Sequence, residues 1–388
     1  MYMTKKQARD WLTDDRFKVP LTELGIMPDM GYVKGQQWGH LYVSPDSHVM
    51  VNEEAMFTLW YWMVERQKMR HRRVILHQPD PWTSDPVMQE WRFTNPIRDE
   101  DRMTIWYINH ILKHVDDPLQ PGETQADRNM AIFWETIVFR MFILQPTVEL
   151  IFPDGMIHSL QAWPENWRAA KERLFQRQES GQNVFHAAYM MPAYNRGITF
   201  PFPSDIPGVK LHRVIYMLEH FWYPKLAEMY KVSQITDMNG LVEWMFNNLF
   251  YMGRFSAYEV ICDLCAACRH THNQVLPYDD DSSVNAGPGN KVAYNLIFCG
   301  EKRWKVEAAD AYLRATWQQW MQRYGMYDEW MSMIPSCINP VVTMRTIEHS
   351  MCESGKYMRI RAGRGRTKSA FHLERCDTDV SGLLLYGE

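Results

Sequence analysis

The chain has 388 residues, with 42 Lys and Arg against 46 Asp and Glu, for a formal net charge of −4. A hydrophobic fraction of 46% is that of a globular protein and excludes a mainly disordered or fibrous chain; 16 Trp, 19 Tyr and 17 Phe supply a large core with rings to spare for surface platforms. Net acidity argues against a nucleic-acid partner only as an average, because a local basic patch overrides it.

At this length two or three domains fit, or one large helical body with insertions. The opening residues lack the apolar run of a secretory signal, so the expectation is an unprocessed intracellular protein. No stretch approaches the roughly 20 apolar residues of a membrane span. The most apolar region, 241–268, is interrupted by Glu243, Asn247, Asn248, Arg254, Glu259 and Asp263. Seven cysteines, an odd number, do not form a disulfide framework.

In chain order, residues 38–51 contain short extended pieces and 53–64 form an aromatic-rich helix. Arg66, Lys68, Arg70, Arg72 and Arg73 follow as a basic cluster, then a loop punctuated by Pro79, Pro81 and Pro86. Asn95-Pro96 is a helix start, with Asn95 as cap, Pro96 in the first helical position and Asp99 to Asp101 at the positive end of the dipole. That helix is expected to reach about His114. Residues 131–144, apolar nearly all round, read as a buried helix. Helical periodicity then appears at 165–178, 211–229, 241–269, 291–298, 308–324 and 344–352. A polar loop with Asp279, Asp280 and Asp281 separates 269 from Gly287, and the text after Lys356 is basic and glycine-containing. Strand signals are few and short, so the chain reads as mainly α.

Several constellations carry chemistry. In Gly287-Pro288-Gly289-Asn290-Lys291 a glycine-bounded turn feeds a helix, leaving backbone N–H groups free for a phosphate; an ordinary helix start explains it equally well. Asp101 falls on the apolar stripe of Ile97, Ile105 and Ile108, so it is paired, with Arg98 as an internal salt bridge, or it is catalytic. Arg140 inside an apolar helix requires an anion, either a carboxylate such as Asp101, which is favoured, or a bound phosphate. Glu259 and Asp263 are an i, i+4 acidic pair beside Tyr258; mutual repulsion suits general acid–base work, and a solvated polar face is the alternative. Cys262, Cys265 and Cys268, with His270 and His272 beyond, lack the paired spacing of structural zinc, and no metal is expected. Residues 356–368 hold Lys356, Arg359, Arg361, Arg364, Arg366 and Lys368 without an acid, the pattern of a phosphate-backbone contact.

These segments, in this order, resemble the phage α-glutamyl/putrescinyl thymine pyrophosphorylase family (amino acid:DNA transferases), related to the helical domain of 5-hydroxymethyluracil DNA kinases. The resemblance rests on Phe93-Thr94-Asn95-Pro96-Ile97-Arg98 with Asp101-Arg102, Gln145-Pro146-Thr147, and Phe255-x-Ala257-Tyr258-Glu259 with Asp263-Leu264. It continues through Asn285-Ala286-Gly287-Pro288-Gly289 and Glu348-His349-x-x-Cys352-Glu353-x-x-Lys356-Tyr357, and covers roughly residues 90–365.

It implies a helix-hairpin-helix DNA-glycosylase-like fold, with residues 1–89 an N-terminal extension of mixed structure, 90–355 the catalytic core and 356–388 a basic tail. It implies that an amine of an amino acid or polyamine replaces the (pyro)phosphate of phosphorylated 5-hydroxymethyluracil in double-stranded phage DNA, in the cytoplasm of the infected host. A 5-hydroxymethyluracil DNA kinase is then a functional partner, with no cofactor and no membrane. On this reading Asp263 or Asp101 serves as base, aided by Glu259, and Arg98, Arg102, Arg140 and Lys356 receive the leaving group. Tyr258 or Phe255 stacks the uracil. Asn95, Glu348 and His349 position the substrate. Gly287, Gly289, Asn290, Lys291, Arg359, Arg361 and Arg364 grip the strand. Asp310 is near the spacing of a glycosylase aspartate, but its Glu307-Ala308-Ala309 context lacks the usual flanking pattern and it is not assigned. No Gly-x-x-x-x-Gly-Lys-Ser/Thr occurs, which excludes a P-loop kinase site within these residues. The alternatives are a non-catalytic helix-hairpin-helix DNA-binding protein and a glycosylase acting on modified thymine.

Overall fold

The computed structural model describes residues 15–30, 33, 36, 41, 48–155, 159–186, 210–226, 235–299 and 304–363. The helices used below are α1 (Glu53–Arg70), α2 (Arg102–His110), α3 (Gln125–Phe142), α4 (Trp163–Glu179), α5 (Met238–Asn248), α6 (Arg254–Cys265), α7 (Pro288–Ile297), α8 (Val306–Arg323) and α9 (Met344–Arg361). Among the described residues, strand is confined to one antiparallel sheet of β1 (Lys18–Pro20), β2 (Met50–Asn52) and β3 (Phe298–Cys299), in that order, with Val19 opposite Val51 and Val51 opposite Phe298. The expectation of a mainly α protein holds. The chain divides into two compact units, one formed by residues 1–101 and 281–388, the other by residues 102–280.

In the first unit, β2 hands the chain directly to α1: the Asn52 side chain accepts from the Ala55 N–H at 3.0 Å and caps the helix. α1 buries Trp60, Trp62, Met56, Met63 and Leu59 completely. The most extensive helix–helix packing in the unit joins α7 to α9. Small residues make it possible. A Cβ on Gly289 would overlap the Cys352 sulfur, and one on Gly355 would press on the Ala293 backbone nitrogen at 3.0 Å. α9 runs well past its expected end at residue 352, so Lys356, Arg359 and Arg361 are helical; Arg361 lies within 3.3 Å of the Thr58 hydroxyl on α1. Arg364 lies outside the described residues.

The loop before α7, expected to be merely polar, is buried at Asp281, Ser282 and Ser283. Asp281 accepts from the Arg314 guanidinium on α8 (2.8 and 3.0 Å) and from the Met344 N–H at the start of α9 (2.7 Å), so one carboxylate ties a loop to two helices.

In the second unit, α3 carries a capping box at Thr124 and Asp127 and is buried from Met130 to Phe142. The single helix expected over 241–269 is α5, a turn and α6: Tyr251 adopts a left-handed φ of 67° and Gly253 begins α6. Apolar composition masked that break, because the turn residues Leu249 and Met252 are buried as well.

The α7–α9 contact yields a test. Gly289→Ala should destabilise the protein by about 1–3 kcal/mol through overpacking. Cys352→Ala in the same chain should recover most of that loss in urea denaturation; a double variant no more stable than Gly289→Ala alone would contradict the contact.

Candidate functional site

The helix expected to start at Asn95 starts at Arg102 instead. Residues 95–101 form a compact loop, because the Asn95 amide donates to the Glu100 carbonyl (2.7 Å) and its backbone N–H donates to the Asp101 carboxylate (3.2 Å). Glu100, with a fully buried side chain, fastens this loop to α1 through Gln67 (2.8 Å) and an ion pair with Arg70 (2.8 Å). Asp101 is therefore not on a helical stripe; it pairs with Arg98, as the salt-bridge reading had it.

The rest of the first basic cluster is also engaged internally. Arg66 donates to the Phe93 carbonyl, Arg72 to the Trp82 carbonyl, Arg73 lies over the Trp82 ring, and Lys68 pairs with Glu329 at 2.7 Å. Burial and the charge of Arg92 push the Arg66 guanidinium down to about 10. The cluster is a set of internal ties rather than an open basic face.

Against the 94–101 loop stands one face of α9. His349 Nε2 lies 2.6 Å from the Thr94 hydroxyl, and the buried Glu353 carboxylate faces the Thr94 N–H at 3.5 Å and pairs with Lys356. The spacing 349, 353, 356 places these side chains on a common helical face. Burial first, and then the charges of Arg98, Lys356 and Arg345, hold the His349 imidazole well below its ordinary range, so it is neutral at pH 7. Burial opposes the Lys356 charge, but the Glu353 carboxylate outweighs it and the ammonium is held above its usual value. Burial pushes the Cys352 thiol up to about 12, which rules it out as a thiolate nucleophile at neutral pH. The structure thus brings together Asn95, Arg98, Asp101, Glu348, His349 and Lys356 of the expected site in one unit. Arg345, 2% exposed, belongs with them and was missed; an Arg near a helix start gives no signal in the sequence that distinguishes it from a surface cation.

The expected strand-gripping residues divide. Lys291 and Arg359 are exposed on the paired helices α7 and α9. Asn290 is fully buried and donates to Asp310 on α8 at 2.8 Å, so it does not reach a strand.

In the second unit, Arg140 is met not by Asp101 but by two carboxylates of α6: a bidentate pairing with Asp263 and an ion pair with Glu259 at 3.0 Å. Asp263 is 0% exposed. The acidic pair therefore faces a shared cation, and the repulsion expected of two acids on one face is offset by the Arg140 guanidinium that both contact. Tyr258 is 1% exposed and is a core residue, whereas Phe255 is 52% exposed. Arg102 is exposed at the start of α2. Cys262 and Cys265 are buried, and burial pushes the Cys268 thiol up to about 11; among the described residues no group of His, Cys, Asp or Glu is placed to hold a metal ion. A cleft of about 1000 Å³ in this unit is lined by His114, Asp117, Glu123, Arg128, Leu160 and Tyr223 among others, and by none of the expected site residues.

The model of the 5-hmdU DNA kinase helical domain matches residues 53–367, which include every residue of the His349 cluster. The chain belongs to this family. A 5-hmdU DNA kinase of Bacillus phage SP10 is 28% identical over 333 residues, covering 82% of this chain and 48% of the relative, so the chain spans about half the length of that protein. No solved structure matches the chain. The expected kinship with the kinase helical domain is borne out.

The buried Arg140 pairing sets an expectation. Asp263→Ala should cost about 3–5 kcal/mol in urea denaturation, because it leaves a buried guanidinium undercompensated. A loss below about 1 kcal/mol would show that the pair is not structural.

Proposed function

We propose that the chain acts on phage DNA containing 5-hydroxymethyluracil whose hydroxyl is already phosphorylated or pyrophosphorylated, and replaces that group with the amine of an amino acid or polyamine. The observation that carries this reading is the His349 imidazole, 2.6 Å from the Thr94 hydroxyl and on the helix face that also bears the half-exposed Lys356. Membership of the 5-hmdU DNA kinase helical-domain family supports a substrate of modified thymine. These 388 residues contain no P-loop, so the kinase chemistry in the name of the phage relative is not assigned to them.

In the proposed step the amine nitrogen forms a bond to the 5-methylene carbon of the base while the bond from that carbon to the phosphate oxygen breaks. The phosphate leaves with the bonding electrons and the new ammonium loses one proton. His349 takes that proton on the ring nitrogen turned away from Thr94, and Thr94 fixes the ring through Nε2. Lys356, whose side chain is 39% exposed, meets the departing phosphate, and Arg98 and Arg345 add positive charge around His349. This assignment replaces the expectation of Asp263 or Asp101 as base, since each is held by an arginine. Of the expected strand-gripping residues, the exposed Lys291 and Arg359 are assigned to the DNA backbone. A helix-hairpin-helix DNA-glycosylase-like core, with the 287–291 turn against the strand, suits this use.

The test is nucleoside mass spectrometry of DNA carrying phosphorylated or pyrophosphorylated 5-hydroxymethyluracil after incubation with the protein and glycine, serine, glutamate or putrescine. An amine adduct is expected, with the yield reduced about 100-fold or more in His349→Gln, the usual size of a general-base contribution. Because the imidazole is already neutral, the rate should not fall between pH 8 and 6.5 through protonation of His349. An abasic site would make the protein a glycosylase, and unchanged nucleosides a binding module; either result overturns the reading.

A further inference from the structure

We propose that Asp310 is a neutral carboxylic acid in the folded protein, and that its proton closes a two-bond ring with Asn290 that positions the 287–291 turn. Both side chains are 0% exposed. One hydrogen bond joins them, from Asn290 Nδ2 to Asp310 Oδ2 at 2.8 Å. The other oxygen of each, Asp310 Oδ1 and Asn290 Oδ1, is buried without a hydrogen-bond partner among the described residues. Two buried acceptors on an already bonded pair lack one donor. A proton on Asp310 Oδ1, directed at Asn290 Oδ1, satisfies both oxygens at once and makes the acid–amide pair cyclic.

The charges around Asp310 favour the same state. Arg314, one turn further along α8, is held by Asp281 at 2.8 Å and is engaged there. Glu307, one turn earlier on α8, has the like sign, and α7 presents the uncharged Asn290. An ionised carboxylate with a single amide for company is costly to bury. Burial, the largest influence, lifts the acid well above the ordinary carboxylate range, with the Asn290 bond acting against it and Glu307 adding to it.

Asn290 is the third residue of α7, so the ring sets the orientation of that helix start. Asp310 is accordingly a positioning residue. Folding at neutral pH takes up one proton to form the pair.

The experiment is infrared spectroscopy of the full chain with isotopically labelled aspartate, together with urea denaturation from pH 5 to 9. The expected result is a protonated-carboxyl stretch in the wild type that is absent in Asp310→Asn. The native acid is raised, so its stabilisation is complete below the unfolded value of about 3.9 and is lost as pH rises towards the native one. Below the native value, the folding equilibrium of the wild type should therefore weaken with rising pH, by up to about tenfold per pH unit, relative to Asp310→Asn, whose amide keeps both bonds. Asp310→Asn should also retain DNA affinity, while Asp310→Ala should lose at least about threefold. If Asp310→Asn does not fold, Asn290→Ser must shift the same band. A spectrum with no protonated carboxyl, or a pH-independent difference between wild type and Asp310→Asn, overturns the proposal.

Discussion

The close approach of α7 and α9 is the constraint on which the first unit depends. Gly355 lets α9 approach the α7 backbone at Ala293, and Gly289 leaves the room that the Cys352 side chain fills. With α9 seated in this way, the face bearing His349, Glu353 and Lys356 meets the 94–101 loop, while Lys291 on α7 and Arg359 on α9 stay exposed. Glycine within a helix costs about 1 kcal/mol relative to alanine. That cost at Gly355 is offset only if close packing is worth more, which is why the site and the packing belong to one account.

Charge placement is the second organising theme. The cations that would make this acidic chain basic in one place are largely engaged inside it: Arg70 with Glu100, Arg140 with Asp263 and Glu259, and Arg314 with Asp281. Such pairs return little net stability, but losing one partner is costly, so they specify geometry more than they add to stability. Glu100 shows the principle: its carboxylate, fixed by α1, holds the very loop that offers Thr94 to His349.

Much of the helical architecture was legible. Apolar periodicity located α4 and α8 to within two residues and the buried part of α3 but not its first six residues, and the order of motifs pointed to a kinship with the helical domain later matched over residues 53–367. What was not legible is what periodicity does not encode. Asn95-Pro96 has the composition of a helix start, yet a long-range tie from Glu100 to α1 holds the segment in a loop. Arg140 was expected to need a carboxylate and has two, but which two depended on the seating of α6 against α3. Asn290 looked like part of a phosphate grip because glycines surround it, whereas its amide belongs to Asp310, twenty residues further along the chain. His349 stood in a recognisable motif, but the lowering of its imidazole comes first from burial and then from Arg98, Lys356 and Arg345, which the sequence does not bring together.

The state of that imidazole tests the account most directly. Nitrogen-15 NMR of the His349 ring, titrated across pH 5 to 8, should show a neutral ring through the whole physiological range. Addition of DNA carrying phosphorylated 5-hydroxymethyluracil should shift the signal, and the unphosphorylated DNA should shift it less. A ring that titrates near the ordinary histidine value of about 6.5, or one indifferent to the phosphorylated DNA, would contradict the assignment of His349 to the reacting centre.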